Sequence, residues 1–405
     1  MAAADLAAGT GLSDVDPHGG VCEEVLDNHI PRYRKNDVIH FDLKSRSHAL
    51  AINILDCPHP EQRGLVVSHT ISIFNKLWES SWGPRLEDIL RNALWVLIEQ
   101  PAATSLLALP KLLTNDIYRA GLLSHVENPA VLDFFVHTFN NWTASFCEKA
   151  ISPVLNKCRA FTTDPLMRAV IGQARSSFNF RWVMDHRKIL LCDLAKGSIG
   201  DDNSRLLGSL IVLKENLAAL SRQDIHGSER VAHVLVCEEA HNFIGDFDSI
   251  LAEARKYGLI LTLATQGIKA LPKEASFAIF SNCATVISFR VSGTDAARLS
   301  QEFGMAIPAS RLQEIPDYTM YVRTLTRSAS DSRSPGGTSP TDPHWVNGHP
   351  PFPFGRHPQH ARHKSVIRVS QARYTRSKAV VEEELRQTFF HASYPRQDFS
   401  SSHPK

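Results

Sequence analysis

The chain has 405 residues, of which 43% are apolar and 21% charged, with a formal net charge of +2; these values suit a globular protein of two or three structural units. Near neutrality excludes a chain held to nucleic acid by overall charge, so any such contact must come from local basic patches. The seven cysteines (Cys22, Cys57, Cys147, Cys158, Cys192, Cys237 and Cys283) are dispersed without C-x-x-C spacing, which argues against zinc and disulfides and fits reduced cytosolic thiols.

No apolar run reaches about eighteen residues, and the N-terminus lacks a basic segment followed by an apolar one. The expectation is a cytoplasmic chain with no transmembrane segment.

In chain order, residues 1–60 read as a βαβ-like fragment. Short strands are expected around 12–15 and 38–41, with a helix near 21–28 between them. Asp16 and His18 end the first strand and, with His40, raise the possibility of a metal site. No second ligand cluster has suitable spacing, so hydrogen bonding within the loop is the preferred reading.

From 61 to 175 the pattern is helical. Leu86, Ile89, Leu90, Ala93, Leu94 and Leu97 recur at helical spacing and are flanked by Arg85, Glu87, Asp88, Arg91 and Asn92. Further helices are expected at 66–79, 104–112, 114–122, 128–138 and 141–159. The block reads as an all-α insertion domain, serving either as a structural lid or as a contact surface.

Strand character resumes between 176 and 327. A strand at 188–193 leads into the polar loop AKGSIGDDN and a helix from about 204 to 220. Lys196, Gly197 and Ser198 look superficially like a phosphate loop, but the lysine precedes the glycine. Asp201 and Asp202 would also repel phosphate at that helix start, so they read as capping charges.

The run VAHVLVCEEAHN (231–242) is the most informative segment. Its nearly continuous apolar stretch reads as a parallel strand buried on both faces, and it delivers Glu238 and Glu239 to its C-terminal end, where open α/β sheets bind ligands. One acid there can hold Mg²⁺ through water while its neighbour polarises the water that attacks a γ-phosphate. Glu238 suits the first role and Glu239 the second; the alternative is a strand running into a solvated acidic turn. A second buried strand, 259–265, ends in Thr265 and Gln266, a position suited to sensing the γ-phosphate. Arg255, read at the end of a helix over 246–256, is either an arginine finger for a neighbouring subunit or a surface charge complementing the helix dipole. Strands at 283–291 and 318–325, with helix 294–303 between them, are expected to complete the sheet. Arg290 and Arg298 there read as solvated charges.

Beyond 328 the composition shifts to Ser, Pro, Gly, His and Arg, which buries too little apolar surface to offset ordering entropy. A largely disordered tail is expected over 328–405, with a short helix near 377–390. His357, His360 and His363 fall at three-residue spacing and carry adventitious metal affinity at most.

Several segments in this order resemble the HerA/FtsK superfamily of ring-forming, DNA-translocating ATPases, and within it the conjugative DNA-transfer (type IV secretion coupling) proteins. They are DVDPHGGVCEEVLD (14–27), VIHFD (38–42), AINIL (51–55), WGPRLEDILRNAL (82–94), KILLCDLAKGSIGDDNSRLLGSL (188–210), VLVCEEAHNF (234–243), ARKYGLILTLATQ (254–266), FRVSGTDAARLSQEF (289–303) and, more weakly, ARYTRSKAVVEEEL (372–385). The resemblance implies an α/β, P-loop NTPase-type (RecA-like) mostly parallel sheet with an all-α insertion. It also implies ATP and Mg²⁺ as cofactors, with Glu238 holding Mg²⁺ through water, Glu239 as base, Gln266 as sensor and Arg255 acting in trans. The implied partners are DNA, further copies in a hexameric ring, and a relaxase or secretion-channel proteins.

One departure stands against the matches: the sequence contains no Walker A loop, G-x-x-x-x-G-K-[ST]. In the family that loop lies ahead of the DPHGG match, where MAAADLAAGTGLS has no lysine. The expectation is therefore a truncated product, a misplaced start or a degenerate copy, inactive in ATP hydrolysis alone. Two alternatives stay open: a catalytically inactive DNA-binding or assembly subunit, and a HerA-like DNA repair helicase.

Overall fold

The computed structural model describes residues 2–243, 250–251, 253–324, 344–346 and 360–389. Its centre is a five-stranded sheet in the order β2-β4-β1-β5-β6. The strands are β1 (Gly11–Asp16), β2 (Val38–Asp42), β4 (Ile189–Asp193), β5 (His233–Cys237) and β6 (Leu259–Leu263), with the two-residue strand β3 (His48–Ala49) outside the sheet. All four pairings in the sheet are parallel.

Burial explains why β4 and β5 carry unbroken apolar runs, because every residue in both is buried. Successive side chains point to opposite faces. Ile189 and Leu191 meet Leu12, Val38, Cys22 and Leu26 on one face. Leu190 and Cys192 meet Val15, Ile39 and Leu235 on the other, in a core continuous with the helical region.

The helices that bear on the site are α1 (Ala2–Ala7), α2 (Gly20–Glu24), α3 (Arg63–Leu77), α4 (Pro84–Ile98), α5 (Ala108–Thr114), α6 (Asp116–Leu123), α7 (Pro129–Asp133), α8 (Ala144–Thr162), α9 (Pro165–Ile171), α10 (Phe180–Asp185), α11 (Lys196–Ile199) and α12 (Asp201–Ser221). No strand interrupts residues 63–185. The stripe on α4 is buried at Leu86, Ile89, Leu90, Ala93, Leu94 and Leu97. Helix α3 packs on α12, so the helical region shares its core with one face of the sheet. On α12 itself, Gly208 makes room for the chain after β5: a Cβ there would lie 2.2 Å from the Phe243 ring.

The strands expected to complete the sheet do not join it. β7 (Thr285–Ser288), β8 (Met320–Thr324) and β9 (His344–Val346) form a separate antiparallel sheet, order β7-β8-β9. α13 (Lys273–Asn282), α14 (Gly293–Glu302) and α15 (Ala309–Gln313) flank it. Here Ala296, Leu299, Phe303, Ile307, Leu312 and Ile315 make their own small core. β7 hydrogen-bonds to β8, so among the described residues β6 remains a sheet edge.

In the tail, α17 (Lys378–Phe389) falls at the short helix expected near 377–390, and α16 (His360–Tyr374) is a helix the composition does not imply, with the two-residue strand β10 (Arg376–Ser377) between them. β10 pairs with β3. Most of the low-complexity stretch, including His357, lies outside the described residues, as does most of 246–256.

Candidate functional site

Parallel register lines up the carboxyl ends of the strands. Asp42 is opposite Asp193, Asp193 is opposite Asp16, and Val15 is opposite Cys237, directly before Glu238. The sheet edge therefore carries a row of acids. Lys44 lies 2.8 Å from Asp193 and answers part of that charge. Asp16 is engaged by backbone, accepting from the His18 and Val21 N–H groups at 2.8 Å each. It serves the loop that starts α2, as the hydrogen-bonding reading requires. Gly19 at φ +82° passes the Asp193 carboxylate so closely that a Cβ would lie 2.4 Å from it, and no L side chain fits that turn.

The tips of β5 and β6 bring two of the predicted residues together. The Gln266 amide donates to Glu239 Oε1 at 2.5 Å, and His241 Nδ1 lies 3.4 Å from Glu239 Oε2. Thr265 Oγ1 is 3.3 Å from the same His241 nitrogen. Backbone bonds set this geometry: Ala264 N donates to Cys237 O at 3.0 Å and Ala240 N to Ala264 O at 2.8 Å. Glu239 itself takes a left-handed φ of +48°, unusual for a non-glycine residue and typical of constrained turns at binding sites.

Glu238 adjoins this group. Burial raises its pKa, reinforced by Asp16 and Glu239. On the neighbouring strand β1, opposite Val236, burial pushes Asp14 up to about 8, with Asp16 and Glu238 adding to the shift. Its Oδ1 is buried without a hydrogen-bond partner. This edge is thus short of positive charge, and a cation would relieve it. Among the described residues no three ligating side chains converge on one point. A hard ion bound mainly through its own waters, as Mg²⁺ binds, fits that donor set; a fully protein-caged ion does not.

Arg255 is not part of this group within the chain. It sits exposed in a short 3₁₀ turn, Ala254–Tyr257, ahead of β6, whereas Gln266 follows β6. Five strand residues separate the two ends by roughly 16 Å. Lys196 does not form a phosphate loop; it pairs with Asp201 at 2.7 Å. Arg290 and Arg298 pair with Asp317 and Glu302. Sequence reasoning passed over Lys44, Asp193 and His241. The alignment of strand-end acids could have flagged Asp193, but nothing local marks Lys44.

Residues 233–334 match the family model described as the TraM recognition site of TraD and TraG. Among solved structures, the bacterial conjugative coupling protein TrwBdeltaN70 is similar with a TM-score of 0.57 at 14% identity, over 85% of this chain and 80% of that one. TrwB with a non-hydrolysable ATP analogue gives 0.57 at 15% identity, over 85% and 79%. VirB4 of Thermoanaerobacter pseudethanolicus gives 0.53 at 14% identity, over 86% and 84%. No curated protein sequence matches the chain. The chain shares the fold of these TrwB and VirB4 structures. Among the described residues no helix is long and apolar enough to cross a membrane.

Proposed function

We propose that this chain works as a subunit of a DNA-translocating ATPase of conjugative transfer, and that the tips of β5 and β6 form the metal-and-water half of its ATP site. The observation that carries this reading is the 2.5 Å bond from Gln266 to Glu239 beside the partly buried Glu238. Related proteins supply the ligand class: TrwB has been solved with an ATP analogue and with ADP and Mg²⁺. Mg²⁺, when bound, would screen the phosphate charge. Glu238 would hold that ion through water, Glu239 would accept a proton from the attacking water, and Gln266 would keep Glu239 oriented while reading the terminal phosphate.

The phosphate cradle is the part these residues do not supply. Among the described residues no strand pairs with the outer edge of β6, on which Ile260 is 48% exposed. A parallel strand added there would deliver its following loop next to Glu239, where a glycine-rich turn and a helix N-terminus can bind phosphates. DNA is the substrate moved, a ring of like subunits is the working assembly, and residues 233–334 would meet a TraM-type DNA-processing partner, with a relaxase or channel protein beyond. The family match over those residues favours the conjugative role over a repair helicase.

A second reading, an assembly or DNA-binding subunit without catalysis, is favoured by the lack of G-x-x-x-x-G-K-[ST] in the sequence. The test joins a phosphate-loop segment to this chain and measures DNA-stimulated ATP hydrolysis. Glu239→Gln should lower the rate by about 10²-fold or more while nucleotide still binds. An unchanged rate removes the base assignment, and DNA binding without any hydrolysis selects the second reading.

A further inference from the structure

A cavity of about 280 Å³ lies at the junction of the sheet with the helical region. Its walls are the chain entering that region at Asp56–Gln62, the chain leaving it at Arg175–Arg181, and the second half of α12. α12 starts beyond the carboxyl end of β4 and runs back along the sheet, so Lys214 and Ser221 lie toward the opposite end from Glu238 and Glu239. The cavity is therefore separate from the nucleotide edge, and nothing in the proposed function uses it.

Its chemistry is selective. Lys214 is 7% exposed. Its ammonium makes one hydrogen bond among the described residues, to the Asp56 backbone carbonyl at 2.6 Å. Burial pushes its pKa down to about 8, because a cation with no anionic hydrogen-bond partner is costly there. The Asp56 carboxylate accepts the Ser176 N–H at 2.9 Å and offsets part of that shift by its charge without hydrogen-bonding to the ammonium. Arg175 lines the same cavity, exposed and without a hydrogen bond or ion pair among the described residues. Arg181 also lines it but is neutralised by Asp185 at 2.5 Å and Asp224 at 2.9 Å. An apolar wall completes the cavity: the rings of Phe178 and Phe180 lie 4.8 Å apart.

We infer that this cavity binds a small anion carrying a flat apolar part, with Lys214 and Arg175 on the anionic group and Phe178 and Phe180 against the ring. A bound anion supplies the acceptors that Lys214 and Arg175 lack, and fork-shaped Arg175 suits a phosphate or a carboxylate. The volume limits the ligand to about one ring plus its charged group.

The test is isothermal titration of the full chain with phenyl phosphate, benzoate and phenol. Phenyl phosphate or benzoate should bind saturably, and phenol about tenfold or more weakly, since it lacks the charge-assisted bonds. The stronger of the two anions identifies a phosphate or a carboxylate ligand. Arg175→Ala, a change at an exposed position that leaves the core intact, should weaken the anion about tenfold. Lys214→Met should do the same, with its fold checked by circular dichroism. Absence of saturable binding by either anion overturns the inference, as does binding that Arg175→Ala leaves unchanged. Because Glu239→Gln leaves this cavity untouched, the anion should bind that variant normally, so failure here is distinguishable from failure of the ATPase reading.

Discussion

The polar cluster beneath the sheet shows how single residues set the response of the fold to pH. Ser13 donates to Glu215 Oε1 at 2.5 Å and its oxygen lies 2.8 Å from His233 Nε2, all three side chains being wholly buried. Burial raises Glu215 to about 7 and lowers His233 to about 3. The stabilising effect of protonated Glu215 is complete below its ordinary 4.5 and is lost as pH climbs through about 7. The stabilising effect of neutral His233 is complete above its ordinary 6.5 and is lost as pH falls towards about 3. Glu215→Gln should therefore gain stability relative to the parent as pH rises from 5 to 7. Urea midpoints across that range are the measurement; a difference that stays flat or shrinks rejects the argument.

At the scale of elements, the two edges of the parallel sheet are treated differently. β2 is covered: the His40 N–H donates to Ser370 Oγ on α16 at 2.8 Å, and Val366 of that helix is fully buried. The backbone donor that an edge strand leaves open is satisfied there. Among the described residues β6 has no such cover, and its burial is correspondingly partial beyond Leu259. α17 acts as a strap, placing Val381 and Leu385 against Ala49, Leu107 and Ala169, with Glu382 paired to Arg168 at 2.6 Å. Val381→Asp should lower the free energy of unfolding by about 2–4 kcal/mol, through lost burial and an unpaired buried charge. Chemical denaturation measures this, and a loss under about 0.5 kcal/mol would show that the strap is dispensable.

At the scale of the whole molecule, the location of Arg255 decides how it can act. It lies at the end of β6 away from Gln266, roughly 16 Å or more from Glu239, so a catalytic part is open to it only across a contact between subunits. In a phosphate-loop-bearing assembly, Arg255→Ala subunits mixed with Glu239→Gln subunits should recover hydrolysis at mixed interfaces, although each variant alone is inactive. Mixtures no more active than the separate variants would return Arg255 to the status of a surface charge.

The sequence by itself determined β4 and β5 and the placement of Glu238 and Glu239, because these strands are apolar over the runs buried on both faces and their acids then mark the ends; β6, expected to be buried throughout, is only partly so beyond Leu259. The sequence likewise determined α4 through the period of its apolar stripe. Tertiary structure alone decided that β7 and β8 leave the main sheet, since strand propensity does not state which edge a strand will meet. It also decided that the tail forms α16, which has little apolar surface and is held by contacts such as that of Val366 that no local pattern reveals, whereas α17 is already legible in the sequence as a short helix near 377–390. The cluster of Ser13, Glu215 and His233, and the cavity around Lys214, join residues more than 120 positions apart. Only the fold brings them together, because long-range proximity is a property of packing and leaves no periodic trace in the chain.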